Sequence, residues 1–154
     1  MELDEIITPE AVLANLKPGS KKQLLQELAN VAARMVKRDP QEVFETLLER
    51  ERLGSTGVGN GVAIPHGKMP GLERITGVFA RLPQPVDFDA LDDQPVDIVF
   101  MLLAPEGSGA DHLKALSRIA RVLRNQATIS SIRKTDDPDG IFSVLTSQQN
   151  ANAA

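Results

Sequence analysis

The chain has two histidines, His66 and His112, and no cysteine, so any nucleophilic or proton-transfer chemistry is to be sought first around imidazole. His66 closes a run of glycines and small apolar residues: Gly54-Ser55-Thr56-Gly57-Val58-Gly59-Asn60-Gly61-Val62-Ala63-Ile64-Pro65-His66-Gly67. Imidazole is largely neutral near pH 7, which leaves one ring nitrogen free as a nucleophile. Phosphorus suits it as an electrophile, because a phosphohistidine keeps a reactive P–N bond. A phosphoryl group in transfer needs donors aimed at its oxygens: a guanidinium, a second imidazole, a helix N-terminus, hydroxyls. Arg50, His112, the helix opened by Asp111-His112, and Ser55-Thr56 supply all four kinds.

Competing chemistries fit the residues less well. A phosphate-binding Walker loop needs four residues between Gly and Gly-Lys, with a hydroxyl next. Gly61 to Gly67-Lys68 has five, and Met69 follows. The dinucleotide fingerprint fails because Val62 stands where a small residue is required. Zinc needs about three protein ligands; Asp111 points about 100° around a helix from His112, and no other ligand pair is spaced for a metal. No Gly-x-Ser-x-Gly elbow exposes Ser55 or Ser108 for hydrolysis. Neither a metal site nor a cofactor site is expected. The glycines themselves can be turn formers as readily as a phosphate cradle, and each histidine alone can be an ordinary surface residue. Their shared placement just after strands, where open α/β sheets bind ligands, favours a site.

These residues need a scaffold. Pro65 cannot donate to a ladder, so the brief strand Val62-Ala63-Ile64 is expected to stop there and leave His66 at the sheet edge. Upstream, Thr8-Pro9 predicts a short helix from Pro9 to about Leu16, broken by Pro18-Gly19. Ser20 starts an amphipathic helix carrying Leu24, Leu25, Leu28, Val31, Ala32, Met35 and Val36 at three-and-four spacing. Asp39-Pro40 starts another, through Val43, Phe44, Leu47 and Leu48 to about Arg52, whose last turn brings Arg50 beside the glycines. Downstream, Ile75–Leu82 and Val96–Leu103 read as strands, the second apolar enough to be central with helices on both faces. Val86-Asp87-Phe88 suggests a small extra strand, and the acids Asp89, Asp92 and Asp93 a solvated loop. Asp111-His112 opens a helix lined by Leu113, Leu116, Ile119, Ala120 and Leu123. A short helix near Thr128–Arg133 is weakly signalled, and Asp136-Asp137-Pro138 caps a last one. The fold expected is a single three-layer α/β/α domain with a mixed sheet over residues 1–147, followed by a flexible tail, 148–154.

Length and composition agree. A chain of 154 residues buries roughly 70% of its unfolded surface, enough for a core. With no Trp or Tyr and five Phe, that core must be aliphatic, and base stacking on nucleic acid is disfavoured. A net charge of −4 argues against binding a phosphate backbone and suits a basic protein partner. Absent cysteines, an acidic N-terminus and no long apolar run suggest a cytoplasmic protein that does not enter membranes.

Three stretches together resemble a known family: Leu48-Glu49-Arg50-Glu51-Arg52-Leu53, the glycine run through Gly67-Lys68, and Phe88-Asp89-Ala90-Leu91-Asp92-Asp93-Gln94-Pro95-Val96-Asp97. They are similar to the mannitol/fructose-type enzyme IIA domains of the bacterial phosphotransferase system, in particular its nitrogen-regulatory branch, over nearly the whole chain. The resemblance implies that His66 accepts phosphate from an HPr-like carrier charged by phosphoenolpyruvate through enzyme I. It implies that His112 is the second active-site histidine and Arg50, rather than Arg52, the site arginine. Ser55, Thr56, Gly57, Asn60 and Gly67 would support the phosphate. It implies a phosphohistidine relay component rather than a free-standing small-molecule enzyme. Regulatory targets such as kinases or potassium transport components are implied as partners, and no permease segment is present. A sugar-specific IIA domain serving a separate permease, and a non-catalytic binding module, are the alternatives. The docking patch is expected to include Val58, Val62, Met69 and part of Asp89–Asp93.

Overall fold

A computed structural model describes residues 2–153, with side chains through Ser147. The expected flexible tail, 148–154, lies outside the residues whose side chains are described. Among the described residues the sheet has six strands: β1 Val12–Leu13, β2 Gly57–Gly59, β3 Val62–Ala63, β4 His66–Met69, β5 Thr76–Val86 and β6 Val96–Pro105. Five α-helices accompany it: α1 Lys21–Val36, α2 Pro40–Arg52, α3 Gly109–Arg124, α4 Gln126–Arg133 and α5 Pro138–Ala153.

The helices begin where their caps dictate. The Ser20 side chain accepts from the Gln23 N–H, Asp39 from Gln41 and Asn125 from Thr128, each satisfying an otherwise unpaired first-turn donor. Lys37, in the left-handed conformation, ends α1. Helices α1 and α2 pack together and on β5 and β4; α3, α4 and α5 pack on β6, β5 and β1. The sheet is thus covered on both faces, the expected three layers.

Strand β6 is the axis. From Ile98 to Ala104 every residue is buried, the continuous apolar run required of a strand covered on both sides. On one edge β5 pairs antiparallel, Phe79 opposite Phe100, their rings edge to face at 6.1 Å. On the other edge β3 and then β4 run parallel to it in succession, Val62 opposite Ile98 and His66 opposite Leu102.

Three sequence expectations change here. His66 does not end a strand; it begins β4. Pro65 interrupts donation, but its carbonyl still accepts from the Leu102 N–H at 2.9 Å, so the run resumes one residue later. The helix expected from Pro9 to Leu16 is a single 3₁₀ turn, Pro9–Ala11, followed by β1. So short a helix is marginal by itself, and parallel pairing of Val12-Leu13 with Phe79-Ala80 outcompetes it. No separate strand covers Val86–Phe88. Instead β5 continues to Val86, with irregular register after Arg81, where Pro83 and Pro85 cannot donate.

Candidate phosphoryl-transfer site

The glycine run folds as a hairpin. Asn60 and Gly61, at φ 57° and 81°, form the two-residue turn joining β2 to β3, the conformation for which Asn-Gly is suited. Gly57 pairs with Ala63 and Gly59 with Val62, so Val58 is an extra, bulged residue pushed outward. The hairpin passes through Ile64 and Pro65 straight into His66.

That passage orients the imidazole. His66 Nδ1 lies 2.8 Å from the Ile64 carbonyl oxygen. A carbonyl can only accept, so Nδ1 carries the hydrogen and Nε2 keeps the lone pair. Burial, chiefly, holds the His66 pKa below its ordinary 6.5, and the Arg50 charge lowers it further; the Ile64 hydrogen bond and the Glu51 charge oppose them. His66 is therefore a neutral, half-buried, Nδ1-protonated imidazole at physiological pH.

His112, in the first turns of α3, sits against it. The two ring centroids are 5.6 Å apart, tilted by 54°. His112 is buried, its Nδ1 has no hydrogen-bond partner among the described residues, and its pKa is lowered by burial, then by His66 and Lys68. The start of α3 lacks a side-chain cap, since the Ser108 hydroxyl donates to the Pro105 carbonyl instead.

Arg50 enters from the end of α2. It donates to the Gly54 carbonyl at 2.9 Å, one of five N–H donors, and stands close enough for its charge to depress the His66 pKa. Arg52 is exposed and exerts no such effect. The neighbour of His66, Gly67, makes this approach possible. A Cβ there would lie 2.6 Å from Thr46 Cγ2, and Thr46 is one helical turn before Arg50. Glycine after the histidine lets α2 close onto β4.

The remaining sequence candidates are placed differently. The Thr56 hydroxyl is taken up in a short hydrogen bond to Glu51, whose other oxygen accepts the Thr56 N–H at 3.1 Å. The Ser55 hydroxyl donates to the Phe88 carbonyl and accepts from Gly57. Gly57 packs on the loop after β5, where a Cβ would come within 2.7 Å of Ala90 Cβ. Asn60 is at the hairpin tip, beyond Val62, which itself lies four register positions from His66 along β6, roughly 13 Å away at strand rise. Its N–H donates to Asp92, and its carbonyl accepts from Arg133. The acidic loop is thus structured through Asp92. Val62 and Met69, expected on a docking patch, are buried, whereas Leu53, Val58, Leu91 and Leu113 are 84%, 55%, 81% and 65% exposed.

Sequence reasoning missed Glu51. It is nearly buried, holds Thr56 through two hydrogen bonds and pairs with Lys21 Nζ at 3.1 Å. It also supports the positive state of His66. On a helix the sequence shows only one more charge, and no local signal marks it. Among the described residues no three His, Asp or Glu side chains converge as metal ligands.

Residues 5–148 match the family described as phosphoenolpyruvate-dependent sugar phosphotransferase system, EIIA 2. The chain belongs to that family. It is 58% identical to a nitrogen regulatory protein of Bradyrhizobium diazoefficiens, over 94% of this chain and 95% of that protein. To a nitrogen regulatory protein of Pseudomonas aeruginosa it is 40% identical, over 97% and 98%. Its fold superimposes on the crystal structure of nitrogen regulatory protein IIA-Ntr from Neisseria meningitidis with a TM-score of 0.89 and 38% identity, covering 94% and 99% of the two chains. Among the described residues no helix is long and apolar enough to cross a membrane.

Proposed function

We propose that His66 accepts a phosphoryl group on Nε2 from a phosphohistidine of an HPr-like carrier, within a nitrogen-related phosphotransferase system. The observation that carries this reading is the 2.8 Å contact from Nδ1 to the Ile64 carbonyl, which presents a neutral imidazole with one defined nucleophilic nitrogen. In the transfer the Nε2 lone pair forms the new P–N bond, and the P–N bond to the carrier breaks, its electron pair returning to the carrier imidazole. Nδ1 keeps its hydrogen throughout, held by Ile64. Arg50 and His112 supply positive charge or N–H donors to the phosphoryl oxygens; a neutral His112 is free to protonate as the dianion arrives. The exposed Leu53, Val58, Leu91 and Leu113 form the apolar docking rim.

Resemblance to nitrogen regulatory proteins favours a regulatory output, in which partners distinguish phosphorylated from unphosphorylated protein. Incubation with phosphoenolpyruvate, enzyme I and the carrier tests the reading. An acid-labile mass gain of one phosphoryl group, absent in His66→Ala, is expected; labelling of His66→Ala refutes it.

A further inference from the structure

Beside the hairpin, on the α3 side of the sheet, lies a cleft of ≈ 500 Å³ that the phosphoryl chemistry does not use. Its apolar wall is built from Val58, Val62, Ile64 and Leu123, and Arg121 and Arg124 stand over it; no Asp or Glu lines it. On a chain with a net charge of −4, this is a local reversal of sign. Arg118, on the same helix, is paired with Glu2 at 2.7 Å. Arg121 and Arg124 are exposed and have neither an ion pair nor a side-chain hydrogen bond among the described residues. Arginines in a helix's last turn also complement its dipole. That accounts for their place in the sequence but not for the concavity they border, where Asn60, Ser117 and Gln126 add uncharged polar groups to the apolar wall.

The volume falls in the range of small-molecule sites, which pair an apolar lining with a few convergent polar groups. We propose that the cleft binds an amphiphilic organic anion, a carboxylate carried on a short apolar chain, with the carboxylate on Arg121 and Arg124 and the chain against Val58, Val62 and Ile64. Guanidinium groups suit a carboxylate through paired N–H donation. Ile64 makes the cleft a regulatory one. Its side chain forms part of the wall, while its carbonyl holds His66 Nδ1–H, so an occupant that shifts Ile64 shifts the tautomer-setting contact two residues away. The effect on phosphorylation rests on His66 being the phosphoacceptor; the binding itself does not.

Octanoate is a suitable probe, titrated into the full chain without carrier and followed by amide NMR. Saturable shifts are expected at 58–64 and 117–126, with the His66 ring signals moving on the same curve. The uncharged 1-octanol and the tail-less acetate should each bind at least roughly tenfold more weakly, and Arg121→Gln and Arg124→Gln should each weaken octanoate roughly tenfold. Equal binding of 1-octanol, wild-type affinity in the double arginine variant, or shifts confined to another face overturns the site. Binding that leaves the His66 ring signals still overturns the coupling through Ile64. None of these outcomes depends on phosphotransfer, so failure here is distinct from failure of His66→Ala to lose its label.

Discussion

His66 and His112 lie ring against ring, 5.6 Å between centroids, with one imidazole half-buried and hydrogen-bonded, the other buried with an unpartnered Nδ1. Burial, chiefly, penalises a charge on either ring; the Arg50 charge further lowers the pKa of His66, and the His66 and Lys68 charges further lower that of His112. Near neutral pH the pair is therefore uncharged, and an anion arriving beside the rings favours protonation. Because the Ile64 carbonyl commits Nδ1 of His66 to carrying hydrogen, the phosphoryl group is expected on Nε2. Phosphorus–nitrogen and phosphorus–carbon couplings of the phosphorylated protein decide this; phosphate on Nδ1 contradicts the hydrogen bond as the determinant.

The lowered pKa values have a consequence for stability. Between the depressed folded-state values and the ordinary 6.5, the unfolded chain binds more protons than the folded one, so stability rises with pH through that window. Acidification below about 6.5 should therefore lower Tm, with the loss complete once the folded-state values are passed. As these are the two histidines of the chain, His66→Ala should flatten the slope, and calorimetry over about pH 5–8 checks it. An unchanged slope in that variant removes His66 as a contributor.

Arg50 and Arg52 flank Glu51 on α2, yet only Arg50 acts on His66. Arg50→Ala should slow phosphorylation by roughly 100- to 1000-fold, the usual loss for one donor to a transition-state oxyanion, at nearly unchanged Tm. Arg52→Ala should remain close to wild type. Stopped-flow transfer from the phosphorylated carrier measures both, and reversed effects would reassign the arginine.

Gly67 offers a sharper test of how the fold builds the site. Gly67→Ala is expected to drive its new Cβ against Thr46 Cγ2, given a 2.6 Å approach, prising α2 and Arg50 from β4. Thr46→Ser removes that methyl while keeping the hydroxyl that donates to the Glu42 carbonyl. The double variant should recover much of the phosphorylation rate lost in Gly67→Ala. Failure of the serine to restore any rate means the glycine acts through something other than this contact.

Glu51 serves stability and electrostatics together. Glu51→Gln removes the carboxylate that pairs with Lys21 and accepts from Thr56, with an expected loss on the order of 1–3 kcal/mol. It should also lower the His66 pKa, since the Glu51 charge supports protonation. Histidine titration by NMR separates this from a purely structural role, which would leave the pKa in place.

Glu51 also marks where reading the sequence stops. Helices α1 and α2 were legible because their signals are local: Ser20 and Asp39 cap them, and apolar residues recur on one face. His66, Arg50 and His112 stand out in the sequence because imidazole and guanidinium have few bland uses in that setting; the fold sets the two histidine rings side by side and Arg50's charge close to His66, and their roles rest on the proposed function. Strand β1 was not, since its two residues are strands only by virtue of pairing with distant Phe79 and Ala80. Thr56 looked like a phosphate donor because its hydroxyl's partner, buried Glu51, is hidden among surface-like helix charges. Asn60-Gly61 did carry a hairpin signal; taken at face value it places Asn60 at a turn tip away from His66.

Phosphorylation at His66 should finally change which proteins bind. On the proposed reading that the exposed Leu53, Val58, Leu91 and Leu113 form the docking rim, partners meet apolar contacts on this surface while the site histidines are neutral. A phosphoryl group brings up to about two negative charges and strong acceptors to that surface. Apolar association there must then desolvate a dianion, which costs far more than one leucine contact contributes. At least one regulatory partner is thus expected to prefer the unphosphorylated form, while a basic partner tolerates either. Affinity capture with wild type, His66→Ala and His66→Asp, together with Leu91→Ser to test the apolar contact, should return different partner sets. Identical sets and affinities across the His66 variants would mean that His66 does not control recognition.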